Sequence, residues 1–329
     1  MDYNIKQPKG WTYNVNVQRE LAGSWAMMVG YAGSRGYDLV SAIEGNPVVP
    51  VERADGTLFF PVGAPRRNPA WGTIDYRNSE GRSTYHALQT SLMKRFTGDY
   101  QIQLSYTLSR AMDNGDAQLS TDTISSAIYP PNPYDLGPEW AAAAFDAPHV
   151  FSANATWQLP FSNNAVFGGW QLNGIVSMHT GYPFSPSIQT PNWSRTGNIS
   201  NNAEDRPNVK PGTDPKKIVT GNPDGWFDTS AFELPLQGTV GNTPRNFLRG
   251  PGFANVDMSL VKNQSLGGDN RLQIRIELFN VLNRANFATP TRPVFAGAIQ
   301  NEAPLATAGK VTRTVNSSRQ VQLGVKILF

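Results

Sequence analysis

The chain ends on QVQLGVKILF, residues 320 to 329, and these residues alternate without a fault. Val321, Leu323, Val325, Ile327 and Phe329 fall on one face; Gln320, Gln322, Gly324 and Lys326 fall on the other. Successive side chains of a strand point to opposite faces, so the segment carries one apolar and one wet surface. Its length suits a membrane-spanning strand, which needs roughly 9–11 residues. A strand at the end of a soluble sheet could read the same way, so recurrence decides between the two.

The pattern recurs upstream. Tyr100, Ile102, Leu104, Tyr106 and Leu108 alternate with Gln101, Gln103, Ser105, Thr107 and Ser109, and Leu272, Ile274, Ile276 and Leu278 alternate with Arg271, Gln273, Arg275 and Glu277. Apolar residues at every second position match a strand and miss the helical spacing of three and four. Weaker copies lie around Tyr13 to Val17, Trp25 to Tyr31, Phe151 to Leu159, Trp170 to Met178 and Val256 to Leu260. Their apolar faces carry no charge, and their opposite faces are rich in Asn, Gln, Ser and Thr. The stretch from Tyr85 to Phe96 reads as a strand whose apolar face holds Lys94, placed near an end where its long stem reaches polar surroundings.

Nine strands are thus expected, near 11–20, 24–32, 84–96, 99–110, 149–159, 169–180, 253–263, 271–283 and 318–329. Proline supports these bounds independently, because it cannot donate to a strand ladder. All 25 prolines lie outside the nine segments.

Composition narrows the class. Charged residues make up 16% of the chain, against about 25% in a typical soluble domain. Asn, Gln, Ser and Thr take their place. No run of about 18 apolar residues marks a transmembrane helix, but averages hide a β-barrel, in which only half of each strand is apolar. Cysteine is absent, excluding disulfide frameworks and thiolate metal sites. The net charge of +3 comes with no Lys/Arg tract, so nucleic acid is not an expected partner. The opening MDYNIKQPKGW has neither the basic nor the apolar region of a signal peptide.

The gaps between strands alternate short and long: residues 21–23, 97–99, 160–168 and 264–270 are short, and 32–83, 111–149, 181–252 and 284–317 are long. Transmembrane barrels show this parity, with short turns on the periplasmic side and long loops outside the cell. On that topology Phe96, Tyr100, Trp157, Trp170 and Phe329 would form one interfacial girdle. Tyr31, Phe151, Phe253 and Phe279 would lie toward the other.

As a set, the segments resemble the C-terminal barrel of Oar-like TonB-dependent receptors of the Gram-negative outer membrane. The resemblance rests on VQRELAGSWAMMVGYAGSRG (17 to 36), STYHALQTSLMKRF (83 to 96), SYTLSRAMDN (105 to 114), FDAPHVFSANATWQLPF (145 to 161) and GGWQLNGIVSMHTGYPF (168 to 184). It continues through WFDTSAF (226 to 232), GNTPRNFLRGPGFANVDMSLVKN (241 to 263), RIELFNVLNRANFATP (275 to 290) and SRQVQLGVKILF (318 to 329). No single string is decisive; their order and spacing are.

The resemblance implies an energised importer of an unidentified ligand, in which a plug fills the barrel and a TonB complex acts through an N-terminal region. It also implies that Phe329 belongs to the signal read by the barrel assembly machinery. Signal peptide, TonB box, plug and the family's N-terminal regulatory-like domain have no counterpart here. Nine strands also fall short of the 22 such a barrel implies, and an open sheet leaves unpaired edges that hydrocarbon does not tolerate. The expected fold class is therefore an all-β, antiparallel transmembrane β-barrel, present as its C-terminal portion within a longer gene.

Chemistry-bearing sites are few. His86, His149 and His179 are far apart and lack carboxylates at ligand spacing, so no metal or cofactor is expected. No phosphate loop or GxSxG elbow appears, so no enzymatic activity is expected. The sequons at Asn154, Asn192, Asn198 and Asn316 read as composition. Arg271, Arg275, Glu277, Asn255 and Asp257 are assigned to the lumen face. There the charged three either meet solute or plug, or form a ladder of cross-strand charge pairs. The segment from Tyr182 to Gly252 is the best site candidate, because loops of such length are usually functional or disordered. Trp193, Trp226 and Phe227 are its candidate ligand contacts, with Trp226 also suited to holding the loop together.

Three functions remain open at this point. One is a transporter barrel in contact with outer-membrane lipid; another is a structural or adhesive surface protein that uses the barrel as an anchor. The third, a soluble sandwich with carbohydrate-binding loops, does not account for the loop parity.

Overall fold

The computed structural model describes residues 2–96, 98–115, 129–161, 166–198, 204–268 and 270–329. Among them, nine long strands form one antiparallel wall: β1 (Lys9–Leu21), β2 (Trp25–Glu44), β3 (Asp75–Lys94), β4 (Tyr100–Asp113), β5 (His149–Gln158), β6 (Trp170–His179), β7 (Phe253–Gly267), β8 (Asn270–Phe279) and β9 (Gln320–Leu328). Each pairs with the next in sequence, so the wall is a meander with β1 and β9 at its two ends. A short strand, Ala141–Ala142, adds to the far end of β4. The fold is all-β and its wall is antiparallel, as the alternation predicts.

The register explains why alternation matters. Leu172 of β6, Leu260 of β7, Ile276 of β8 and Leu323 of β9 are successive cross-strand partners. The neighbouring row is Asn173, Ser259, Glu277 and Gln322. A slip of one residue in any strand would place polar groups in the apolar row, so the pattern fixes the pairing. Val15, Tyr31, Leu88, Leu108 and His149 form a corresponding row across β1 to β5. On this face Tyr13 lies across Gly33, where a Cβ would run into its ring.

The apolar face is uncovered. Val321, Leu323 and Val325 are 61%, 74% and 71% exposed, and exposed apolar surface this continuous marks an interaction face rather than a wetted one. At the short-turn end of the wall, Lys94 Nζ lies 3.7 Å from the centre of the Tyr100 ring and Lys262 Nζ 5.7 Å from that of Trp170. Lys94 is the last residue of β3, and its stem runs along apolar surface while its charge rests on an aromatic face.

Several bounds differ from the sequence expectation. β2 continues to Glu44 rather than ending at 32, and β3 begins at Asp75 rather than 84 and stops at Lys94 rather than 96. The two therefore stay paired far past the apolar stretch, with a register shift between Gly36 and Ser41. β8 stops at Phe279 rather than 283, because Asn280 and Asn283 adopt positive φ of 48° and 51° and turn the chain out of the sheet. The register also corrects the expected outer girdle: Phe253 pairs with His179 and Phe279 with Gln320, which puts both on the polar face. Tyr31 and Phe151 remain on the apolar face.

Connections alternate short and long in the structure too, which gathers every long loop at one end. The large buried apolar side chains lie there and not in the wall. Phe184, Ile188, Trp193, Ile218, Phe227, Phe232, Leu248, Val294 and Phe295 form one hydrophobic core drawn from the segment 180–252 and the segment 280–319. Small ribbons stitch it together, among them Ser187–Ile188 with Pro293–Phe295 and Asn208–Val209 with Phe232–Glu233. The protein is thus a two-faced wall carrying a folded cap.

Candidate functional site

On the polar face of the wall, side chains satisfy one another. Asn173 Nδ2 donates to Ser259 Oγ at 3.0 Å, while its Oδ1 accepts from Thr156 and Gln171. Arg275 Nε donates to Gln273 Oε1 at 2.6 Å, and Gln273 Nε2 donates to Asn263 Oδ1. The expected ladder of charge pairs is not what forms: among the described residues Arg271, Arg275 and Glu277 make no ion pair with one another. The row alternates charge with amides instead.

Asn255 and Asp257 serve the wall's connection to the cap. Asn255 Nδ2 donates to Asp257 Oδ1, which also accepts the backbone N–H of Asn280 at 2.8 Å. The Asn280 side chain then ties Arg284 O and Ser317 O, the two ends of the last long loop. Asn286 completes the joint, its amide pairing with both N–H and C=O of Ala254.

The cap buries two of the three aromatic candidates and half-buries the third, Trp226. Trp193 and Phe227 are each 2% exposed, and Trp193 Nε1 donates to Pro235 O. Trp226 packs against the same core and donates from Nε1 to Arg249 O at 2.8 Å. Trp193 and Phe227 are packed inside the loops, while Trp226 keeps part of its ring at the surface.

Sequence reasoning missed the charged row that roots the cap on the strand ends. Arg245 Nε donates to Glu139 O at 3.0 Å, and its Nη2 donates to Asp113 O at 2.6 Å and pairs with the Asp113 carboxylate at the end of β4. Arg206 pairs with Glu139. Arg249 pairs with Asp146, whose other oxygen accepts the N–H of Ala111 in β4 at 2.7 Å. The signal was present: in a chain so poor in charge, Arg245 and Arg249 stand in one long loop while Asp113, Glu139 and Asp146 stand in or beside another.

Two further features shape the electrostatics of the cap. Burial pushes the Asp205 carboxyl up, although it accepts the N–H of Ser194 at 2.9 Å and neighbours Arg206. Burial, and then a hydrogen bond to Asp75, push the Tyr129 phenol up to about 12. An open cavity of about 430 Å³ lies on the cap, lined among others by Lys210, Ser230, Phe232, Glu233, Asn301 and Glu302. Its mixture of a ring, a cation and two carboxylates could orient a polar solute. The histidines are dispersed: His86 meets the Tyr31 hydroxyl, His149 that of Tyr106, and His179 stacks on Phe253.

A family model and the fold of one solved transporter agree with this architecture. The outer membrane transporter YddB from Escherichia coli superposes with a TM-score of 0.50 at 13% identity, covering 98% of this chain and 33% of its own. The FrpB iron transporter from Neisseria meningitidis gives 0.44 at 12% identity, covering 99% and 32%. The ferric-catecholate import receptor Fiu from Escherichia coli K12 gives 0.43 at 9% identity, covering 98% and 28%. The chain thus spans about a third of the length of these structures. A search of curated proteins returns no match. The model of the outer membrane beta barrel domain matches residues 1–322. With its apolar face turned to lipid and its long loops gathered at one end, the chain belongs to this family of Gram-negative outer-membrane β-barrels.

Proposed function

We propose that the chain forms part of the barrel wall and the extracellular cap of a TonB-dependent transporter, which takes up an extracellular ligand at the expense of energy delivered from the periplasm. The observation that carries this reading is the placement of the cap. Arg245 and Arg249 fasten it to the inner side of the wall, since Asp113 and Ala111 share the face opposite Arg110 and Leu108. A cap so held lies over the mouth of a barrel whose inner face is a hydrogen-bonded polar row. The fold shared with YddB, described as an outer membrane transporter, is consistent with it. The edges at β1 and β9 would pair with further strands, because unpaired backbone groups are not tolerated in hydrocarbon.

A second reading, a structural or adhesive surface protein anchored by its barrel, draws support from the burial of Trp193 and Phe227, which makes the cap a compact body. The two separate in cells carrying the complete gene. Uptake of a panel of siderophores, glycans, peptides and cobalamin is compared after deletion of the gene and after deletion of TonB. A solute that needs both supports transport. Surface binding that persists without TonB, with no uptake defect for any solute, supports the anchor.

A further inference from the structure

The wall rises past its lipid-facing belt, and there the apolar face changes character. On β2 the face runs Val29, Tyr31, Gly33, Arg35; on β3 it runs Leu88, His86, Thr84, with Arg35 opposite Thr84. Arg82 continues the β3 face, and its guanidinium lies 5.7 Å from the centre of the Trp140 ring. Arg35 in turn lies 4.9 Å from the centre of the Tyr37 ring. Arg110 of β4 stands opposite His86 on the same side.

An open cavity of about 330 Å³ lies between these groups, lined by Arg35, Tyr37, Arg82, Ser83, Thr84 and Trp140, with no carboxylate. A second cavity of about 370 Å³ shares Tyr37, Arg82 and Trp140 and brings in Asp38 and Glu80. Asp38 is already met by Lys6 and Lys9 at 3.8 and 3.6 Å. Arg35 and Arg82 have no ion-pair partner among the described residues, and both are exposed.

Height decides what reaches them. Arg35 is ten residues along β2 from Trp25, which pairs with Lys94 at the short-turn end; that is about 33 Å along the strand at roughly 3.3 Å per residue, and about 23 Å in height for a strand tilted by roughly 45°. The apolar band of a barrel is about 25 Å tall, with interfacial girdles at its two edges. The two arginines therefore stand at the outer edge of that band, at headgroup level, facing lipid and not the lumen. Guanidinium forks match phosphate oxygens in pairs, and the flat Trp140 ring beside them suits the face of a sugar.

We propose that this cavity binds the phosphorylated headgroup of an outer-leaflet glycolipid, with a phosphate held between Arg35 and Arg82 and a sugar ring against Trp140. The site goes beyond the transport reading and stands whether or not that reading holds, since it needs only the outer-membrane wall.

The test uses the protein encoded by the complete gene, extracted from its own membrane and examined by native mass spectrometry with added lipid A, with lipid A stripped of phosphate, and with inorganic phosphate. Wild-type protein should retain lipid A and lose the phosphate-free form. Arg35→Ala with Arg82→Ala should lower occupancy about tenfold or more, since each charge-assisted contact is worth on the order of one decade in affinity. Arg275→Gln, on the polar face, should leave it unchanged, and boiling-dependent electrophoretic mobility reports whether each variant is folded. If the double variant misassembles, Trp140→Ala at unchanged mobility must still weaken lipid A binding. Equal retention of phosphate-free lipid, full retention by the folded variants, or inorganic phosphate binding as tightly as lipid A would each overturn the proposal.

Discussion

Arg245, in the longest loop, reaches across to the end of β4 and binds Asp113 through both its carboxylate and its main-chain oxygen. One side chain thus joins cap to wall, and it also holds Glu139 O from a third segment. Breaking a buried ion pair by removing one partner costs about 3–5 kcal/mol, because the remaining charge is left in a dry site. Arg245→Ala should therefore loosen the cap while leaving the wall intact. The check is protease cleavage of the loops on whole cells, expected to accelerate, beside unchanged boiling-dependent mobility of the barrel. Equal cleavage in wild type and variant would show that the aromatic core alone holds the cap.

Asp205 should make the cap sensitive to pH in an unusual sense. Burial raises its carboxyl above the ordinary value, so its contribution to the folded cap is fully present below about pH 4, the unfolded value. That contribution is lost as pH rises through the folded value. Asp205→Asn removes the titration yet keeps an oxygen for the Ser194 N–H. The variant's cap should gain stability over wild type as pH rises from 4 to 7, with the difference vanishing at the acid end. Loop proteolysis across that range reads the effect; a difference that is largest in acid would contradict it.

The wall was legible where it crosses lipid and illegible beyond. Within the bilayer one face must be apolar, so Val29, Tyr31, Leu88 and Leu108 announce their strands. Above it both faces are wet, and SRGYDLVSAIE in β2 carries Arg35 and Asp38 in the very positions where the pattern is sought. Backbone pairing continues there without a hydropathy signal. The end of β8 misleads in the opposite way: Val281 and Leu282 extend the apolar run, but Asn280 and Asn283 supply the positive φ that ends it. In the cap, the length of the loop and its aromatic residues single out the segment that holds most of the buried core, but a sequence shows only residue type. It could not say that Trp193 and Phe227 point inward, because a buried ring and a binding ring are the same residue type in a sequence.

Adjacent residues of β8 offer a test of the two faces. Ile276 lies between Leu260 and Leu323 in the apolar row, and Arg275 lies between Val261 and Gly324 in the polar one. Lysine near the bilayer midplane costs roughly 2–4 kcal/mol in a barrel. Ile276→Lys should reduce the folded, membrane-inserted fraction severely. Arg275→Gln gives up only its hydrogen bond to Gln273 and should stay within about 0.5 kcal/mol of wild type, as surface changes usually do. Outer-membrane yield and boiling-dependent mobility measure both, and equal tolerance would place neither residue against lipid.

Phe329 gives the last test. It lies beyond β9, which closes at Leu328, and it is fully exposed, so the wall gains almost nothing from its ring. The family resemblance implies another role for this residue, recognition by the barrel assembly machinery, and we propose that role as the alternative to packing. Stability and recognition predict different outcomes for its deletion. If the ring matters only for packing, removing it should leave both yield and thermal stability nearly unchanged, because no buried area is lost. If it is part of the assembly signal, yield in the outer membrane should fall severalfold while the protein that does insert melts as before and keeps its lipid and ligand affinities. Quantitative surface labelling beside a melting curve of the inserted fraction distinguishes the two, and an unchanged yield would leave Phe329 as the end of a strand and nothing more.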